Sequence, residues 1–261
     1  QYFIVYVTGC LFSGVDKALA AKLIGVITSL VVIIRIAEIF IDPLLGNLID
    51  NTNTKWGRFR PWQFFGGLIS AVLLAVIFSG MFGLVNVNTT LFIVLFVITF
   101  VVLDVFYSLR DISYWGMIPA LSSDSHERST YTALGSFGGS IGYNGLTIVV
   151  IPIVTYFSYI FTGKHQESQS GWTCFAIIVA ILGVLTVCSV AFGTKESTNA
   201  LRAKAQKNGN PLEAFKALFQ NDQLLWVALS YLLYAIANVA TTGVLMYMFK
   251  FILNNSAAYS I

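Results

Sequence analysis

The length of its uncharged stretches constrains this chain more than any other feature. Asp, Glu, Lys and Arg are absent from Pro61 to Leu103, Ser129 to Gly163, Ser168 to Thr194 and Gln223 to Phe249. Each stretch exceeds the ~20 residues that cross a hydrocarbon core as a helix. In lipid, backbone amides find partners only within a helix or a closed barrel, so these runs read as transmembrane helices. Composition agrees: 57% of residues are hydrophobic and 10% are charged, against about 25% charged in a soluble domain. Such a chain has too little polar surface to cover itself in water.

Apolar runs read against turn signals predict the end of a first span at 1–11 and further spans at 18–43, 62–85, 90–118, 133–161, 171–193 and 224–250. The run Gln1 to Leu11 lacks the basic start and small-residue cleavage site of a signal peptide and reads as the tail of a cut helix. Asn254 to Ile261 stops just beyond another span, so the chain reads as a fragment of something longer. Links 12–17, 86–89 and 162–170 fall on one side of the membrane, and links 44–61, 119–132 and 194–223 on the other. The second set carries Lys55, Arg58, Arg60, Arg128, Lys195, Arg202, Lys204, Lys207 and Lys216, while the first holds Lys17 and Lys164. The positive-inside rule makes the second set cytoplasmic. Within it, Pro211 followed by Leu212, Phe215, Leu218 and Phe219 predicts an amphipathic helix on the membrane surface. The expected organisation is a helix bundle at 1–193, a cytoplasmic middle loop at 194–223 and the start of a second bundle at 224–261.

Ionisable side chains at membrane depth cost at least ~2.5 kcal/mol each on insertion scales and usually face a cavity or one another. They concentrate in two spans here. Arg35, Glu38 and Asp42 are spaced i, i+3, i+7, and Asp104, Tyr107, Ser108, Asp111 and Trp115 are spaced i, i+3, i+4, i+7, i+11 with Arg110 beside them. Each set lies on one helical face. Two such faces meeting across a polar cavity would suit a carrier, because carboxylates take a proton or Na⁺ and accept hydrogen bonds from sugar hydroxyls, while Trp and Tyr stack on a pyranose ring. The plain alternative is a buried ion-pair network that ties two helices together; apolar replacements of such networks are often as stable, which favours the functional reading.

Other chemistry is excluded. Cys10, Cys174 and Cys188 lie in or against apolar runs without metal-ligand spacing and read as small core residues. His126 and His165 fall in predicted loops, and no Ser/His/Asp, HExxH or Cys/His arrangement appears, so the chain does not read as an enzyme. No basic face interleaved with aromatics points to nucleic acid. Gly135/Gly139 and Gly138/Gly142 form two small-xxx-small pairs that predict close approach of another helix, as static packing or as a sliding contact.

Past the second span the sequence runs D-P-L-L-G-N-L-I-D-N-T-x-x-x-W-G-R-F-R-P-W, followed by D-x-x-Y-W-x-M-I-P-A-L at 111–121 and D-S-H-E-R at 124–128. Over essentially the whole chain these motifs resemble the glycoside-pentoside-hexuronide:cation symporters, most of all the galactoside permeases of lactic acid bacteria. The resemblance implies an all-α polytopic membrane protein, the N-terminal six-helix half of a major facilitator fold with its first helix truncated, plus helix seven. It implies that Glu38 and Asp42 are carboxylates of the cation site with Ser108 contributing, and that Tyr107, Asp111 and Trp115 hold the galactoside, Asp104 lying on the same face. Three departures stand out. Ile41 replaces an Asn that would supply an oxygen to Na⁺, which favours a proton as the coupled ion. Ser136 replaces an Arg of the sugar site, leaving Arg110 to supply that donor. Ser113 replaces a Pro common in the motif.

The resulting expectation is a galactoside:proton symporter working by alternating access, needing no cofactor beyond its coupling ion. Asp50, Arg58, Arg60, Asp124 and Arg128 are expected to hold the cytoplasmic gate shut through breakable ion pairs. Na⁺-coupled melibiose-like symport, sugar exchange and a membrane sensor that binds sugar without moving it are the rival readings. Expected partners are a galactoside, the lipid bilayer and, beyond this stretch of chain, a C-terminal regulatory domain or a phosphotransferase protein.

Overall fold

The computed structural model of the chain describes residues 6–12, 16–196, 220–248 and 252. The amphipathic helix expected after Pro211 lies outside the described residues. The described elements run as a π-wound turn Val7–Leu11 (α1), Lys17–Asn51 (α2), Arg60–Phe78 (α3), a 3₁₀ segment Gly80–Asn86, Thr89–Leu121 (α4), Ser125–Thr162 (α5), Gln169–Gly193 (α6) and Asp222–Tyr247 (α7). Among the described residues there is no strand, and α2 to α6 are each long and apolar enough to cross a membrane. The all-α, multi-pass reading stands. The apolar stretch of α7 covers Leu225–Thr241.

Three boundaries differ from the expected ones. α2 runs through Pro43 to Asn51, so Asp50 sits on its last turn rather than in a loop. Proline is tolerated there because neighbouring helices re-satisfy the carbonyl it frees. α3 ends at Phe78, because the chain turns through left-handed backbone at Met81 (φ 48), Phe82 (φ 58) and Gly83 (φ 75). α5 begins at Ser125, with the Asp124 side chain accepting from the His126 amide at 2.9 Å as N-cap. Asp124, His126 and Arg128 therefore belong to a helix start.

α3 lies between α4 and α6, α5 packs on α6, and α2 contacts α4. The close approaches depend on glycines that sequence spacing did not single out. A Cβ on Gly66 would sit 2.8 Å from the Phe106 carbonyl oxygen, one on Gly67 would strike Val187, and one on Gly171 would strike Ser158 Oγ and the Val154 carbonyl. Gly138, Gly139, Gly142 and Gly145, the stripe expected to pack tightly, meet no atom within 4 Å. Only Gly135 is approached, by the Tyr114 hydroxyl.

Packing is aromatic at one end of the bundle. Phe92, Phe96 and Phe100 stack along α4 at 5.8 Å intervals, and Phe12 packs edge-on against Phe92. Tyr6, Phe78 and Trp172 join α1, α3 and α6. Polar bonds close that end. The Gln169 amide donates to the Phe78 carbonyl at 2.8 Å, and its oxygen accepts from the Tyr6 hydroxyl at 3.0 Å. A smaller cluster of Ile49, Phe59, Leu109, Met117 and Ala120 fills the other end.

Gly171→Val forces a branched side chain against backbone, and overpacking of this kind costs about 1–3 kcal/mol. Thermal unfolding of the detergent-solubilised protein should show a clear fall in midpoint for Gly171→Val and none for Gly142→Ala.

Candidate functional site

The two charged faces meet where α2 leans on α4. Arg35 lies across the contact. Its Nη1 donates to both oxygens of Glu38 at 2.6 and 2.8 Å, and its Nη2 lies 3.7 Å from Asp104 Oδ1. Asp104 is 5% exposed, the one buried acid among the described residues. Burying it in hydrocarbon is tolerable only with a partner, and Arg35 supplies one across the helix interface. Arg35 thereby brings the Glu38 and Asp104 carboxylates to the same place on the α2–α4 interface. One turn along, Asp42 sits beside Ser108 and within the field of Glu38, Asp111 and Arg35. Asp42 Oδ1 is buried without a hydrogen-bond partner.

Helical spacing explains this convergence. The i, i+3, i+7 set on α2 and the i, i+4, i+7 set on α4 each form one stripe, and the α2–α4 crossing lays the stripes together. The remaining residues of the α4 stripe stay open. Tyr107 is 48% and Trp115 41% exposed, and Asp111 is exposed between them. The Trp115 indole lies within hydrogen-bonding reach of Asp111, whose nearest cation is Arg110. Ser136, on α5, is also exposed. The arrangement therefore has an acidic end, formed by Glu38, Asp42, Asp104, Ser108 and Arg35 around the buried Asp104, continuous with an open aromatic end. An acidic end can exchange a cation or proton, and an open carboxylate flanked by Tyr and Trp can hold a polyol.

The expected gate residues do not form one cluster. Arg58 Nη1 lies 3.5 Å from Asp50 Oδ1, joining the α2 end to the following loop. Arg60 instead donates from Nε to the Ala191 carbonyl at 2.7 Å. Asp124 is occupied as a helix cap, and Arg128 donates to the Ser123 carbonyl at 3.3 Å. Neither is drawn to Asp50 or Arg58 in an ion pair among the described residues.

Sequence reading missed Glu196. Its Oε2 accepts from the Arg58 amide at 2.9 Å, and its Oε1 accepts from the amides of Phe59 at 2.9 Å and Arg60 at 3.1 Å. These N–H groups lie at the start of α3, where the helix dipole also favours an anion. Gly57 makes room: at φ +111 it admits no ordinary side chain, and a Cβ there would come within 2.6 Å of the Glu196 carboxylate. No local spacing announces a contact across 136 to 138 residues of chain.

A multi-pass bundle with a carboxylate-rich helix interface beside an open aromatic face defines the class: a membrane carrier fold. The whole chain, residues 1–261, matches the family model described as MFS/sugar transport protein, and the chain belongs to that family. It is 54% identical over 252 residues to a lactose permease of Leuconostoc lactis, covering 97% of this chain and 39% of the relative. It is 51% identical over 252 residues to a lactose permease of Lactobacillus helveticus, covering 97% and 40%. It is 35% identical over 260 residues to a raffinose carrier protein of Pediococcus pentosaceus, covering 100% and 40%. The chain thus spans about two-fifths of the length of these relatives, and family and helix order agree with the expected N-terminal half.

The two ion-pair systems differ in weight. The Asp50–Arg58 pair has its acid exposed and contributes under about 1 kcal/mol, whereas the Arg35 pair has its cation exposed and its acid, Asp104, buried, so losing Arg35 leaves a buried carboxylate without its charge partner. Melting midpoints of solubilised variants should therefore stay near wild type for Asp50→Asn and fall sharply for Arg35→Met.

Proposed function

We propose that the full-length protein carries a galactoside of the lactose type across the cell membrane in symport with a proton, by alternating access. One observation carries this reading. At the α2–α4 contact the Arg35 guanidinium pairs with Glu38 and Asp104, and a third carboxylate, Asp42, lies one turn along, directly beside an open face bearing Tyr107, Asp111 and Trp115. A purely structural network would be neutral. An excess of acid at membrane depth needs a proton or cation that comes and goes.

In this reading Asp111 accepts hydrogen bonds from sugar hydroxyls, Trp115 and Tyr107 stack on the ring, Arg110 supplies a donor, and Asp104 borders the same space. Glu38 and Asp42, with Ser108, load the proton. Neutralising a buried carboxylate lowers the cost of closing the cavity over it, so sugar and proton together favour reorientation while either alone does not. The side of the membrane bearing Asp50, Arg58, Arg60, Asp124 and Arg128 is the cytoplasmic gate. Names of the relatives support the substrate class, and Ile41, which offers no oxygen beside Asp42, supports the proton. The larger part of such a relative's length leaves room for a second helical half and for a C-terminal regulatory domain or phosphotransferase partner, which belong to the same proposal.

Asp111→Asn in the full-length protein should abolish galactoside binding, measured by equilibrium binding in nanodiscs, while leaving expression unchanged; wild-type affinity would remove that residue from the site. In proteoliposomes, lactose accumulation should follow an imposed pH gradient and ignore Na⁺. A strict Na⁺ requirement would point to melibiose-like coupling, exchange without net uptake to an exchanger, and binding without any movement to a sensor.

A further inference from the structure

We propose that Glu196 is the fixed pivot of the gate: a positioning residue, touching no sugar, that ties the α2–α3 loop to the end of α6 so that Asp50–Arg58 is the bond that opens. The inference rests on the carrier reading above and goes beyond it, because it concerns how the gate is built.

Three backbone amides converge on the Glu196 carboxylate, from Arg58, Phe59 and Arg60. A fourth bond runs between the same two segments, from Arg60 Nε to Ala191. Trp62 adds a bond to the near end of the loop, its indole donating to Thr52 Oγ1 at 2.8 Å. Gly67 packs on Val187 two helical turns further in. The loop, α3 and α6 are thus held as one block at this end, and α6 hands over to residues 197 onward directly after the pivot. α2 is joined to this block's charged corner by Asp50–Arg58 at 3.5 Å, with Asp50 largely exposed. One contact is charge-assisted, multidentate and partly buried; the other is single, long and wet. When the helices rearrange, the second breaks first. Glu196 decides where Arg58 stands, because it grips the Arg58 amide itself.

The test uses the purified full-length transporter in nanodiscs, with Asn53→Cys in the loop labelled by a maleimide, and the same variants in proteoliposomes for lactose counterflow. Glu196→Gln should raise the labelling rate about fivefold or more and lower the maximal counterflow rate while leaving the half-saturating sugar concentration near wild type. Glu196→Asp, which keeps the charge and shortens the arm, should restore part of both. Labelling and maximal rate equal to wild type in Glu196→Gln would overturn the proposal. Should that variant not reach the membrane, Glu196→Asp decides: a shift in the same direction supports the pivot, and wild-type labelling overturns it. Absence of lactose movement in the unsubstituted protein would count against the carrier reading alone, since the labelling comparison reads the loop without transport.

Discussion

The structure depends on the price of placing charge where water is absent. Asp104 sits at 5% exposure on a helix whose preceding turns are mostly Phe, Val, Leu and Ile. It is stable there because Arg35 reaches it from α2 while also holding Glu38. The link is reciprocal: α2 contacts the rest of the bundle chiefly through α4, so the guanidinium that makes the acid tolerable also seats the helix. Anything altering the charge of this cluster alters how α2 is held. That coupling is what a carrier needs, and it follows from electrostatics alone, without a dedicated relay between sites.

Against that switchable contact stands a rigid one. α3 is fixed to its neighbours by glycine approaches at Gly66 and Gly67, which let backbones come together where side chains would not fit. It is also pinned at both tips, by Gln169 at one end and Glu196 at the other. Helix pairs with so many directional contacts have few alternative packings. The bundle therefore divides into a frame of α3, α4 and α6 and a helix, α2, seated on it by apolar packing at Leu23, Ile27, Ile34 and Ile49 with the Arg35 charge contact between them.

Much of this was legible in the sequence. Charge-free length pointed to α3 through α6, apolar runs between turn signals added α2, and i, i+3, i+4, i+7 spacing put Arg35, Glu38, Asp42 and Asp104, Ser108, Asp111 on faces that do meet. These signals are local, and local periodicity survives folding. Helix ends were less legible. Pro43 reads as a breaker, yet lipid penalises an unpaired backbone more than a proline kink, so α2 continues. The loss of helix after Phe78 begins at Gly80 (φ 65), a left-handed glycine just past the Ser79 cap that the sequence did offer as a stop, and continues through positive φ at Met81 and Phe82, which carry no such signal. Glycine spacing records which faces are small and not which helix arrives, and among the described residues the close approaches fall at Gly66, Gly67 and Gly171. Glu196 was invisible for the same reason: its partners are amides, and amides are present at every residue. Asp124 shows the converse, an acid assigned to an ionic gate that serves as a helix cap, a role that its place before Ser125-His126-Glu127 could have announced.

The two tips of α3 are closed by different chemistry, and the difference sets which can open. At the Gln169 tip the bonds are neutral, shared among Tyr6, Phe78 and Thr173, and surrounded by Trp172, Phe78 and Met81. Parting them would leave polar atoms facing rings and hydrocarbon, with no water to take the place of the lost partner. At the other tip the Glu196 carboxylate is partly buried on three amides, and beside it the single Asp50–Arg58 ion pair has its acid exposed. An exposed ion exchanges a protein partner for water at little net cost, so an ionic contact there breaks and re-forms within thermal reach. A bundle sealed by neutral bonds in an aromatic core at one end and by ion pairs at a wetted surface at the other is asymmetric in what it takes to open. Of the polar contacts at that end, the single exposed Asp50–Arg58 pair is the one that parts at least cost, while the Glu196 carboxylate keeps its three amides.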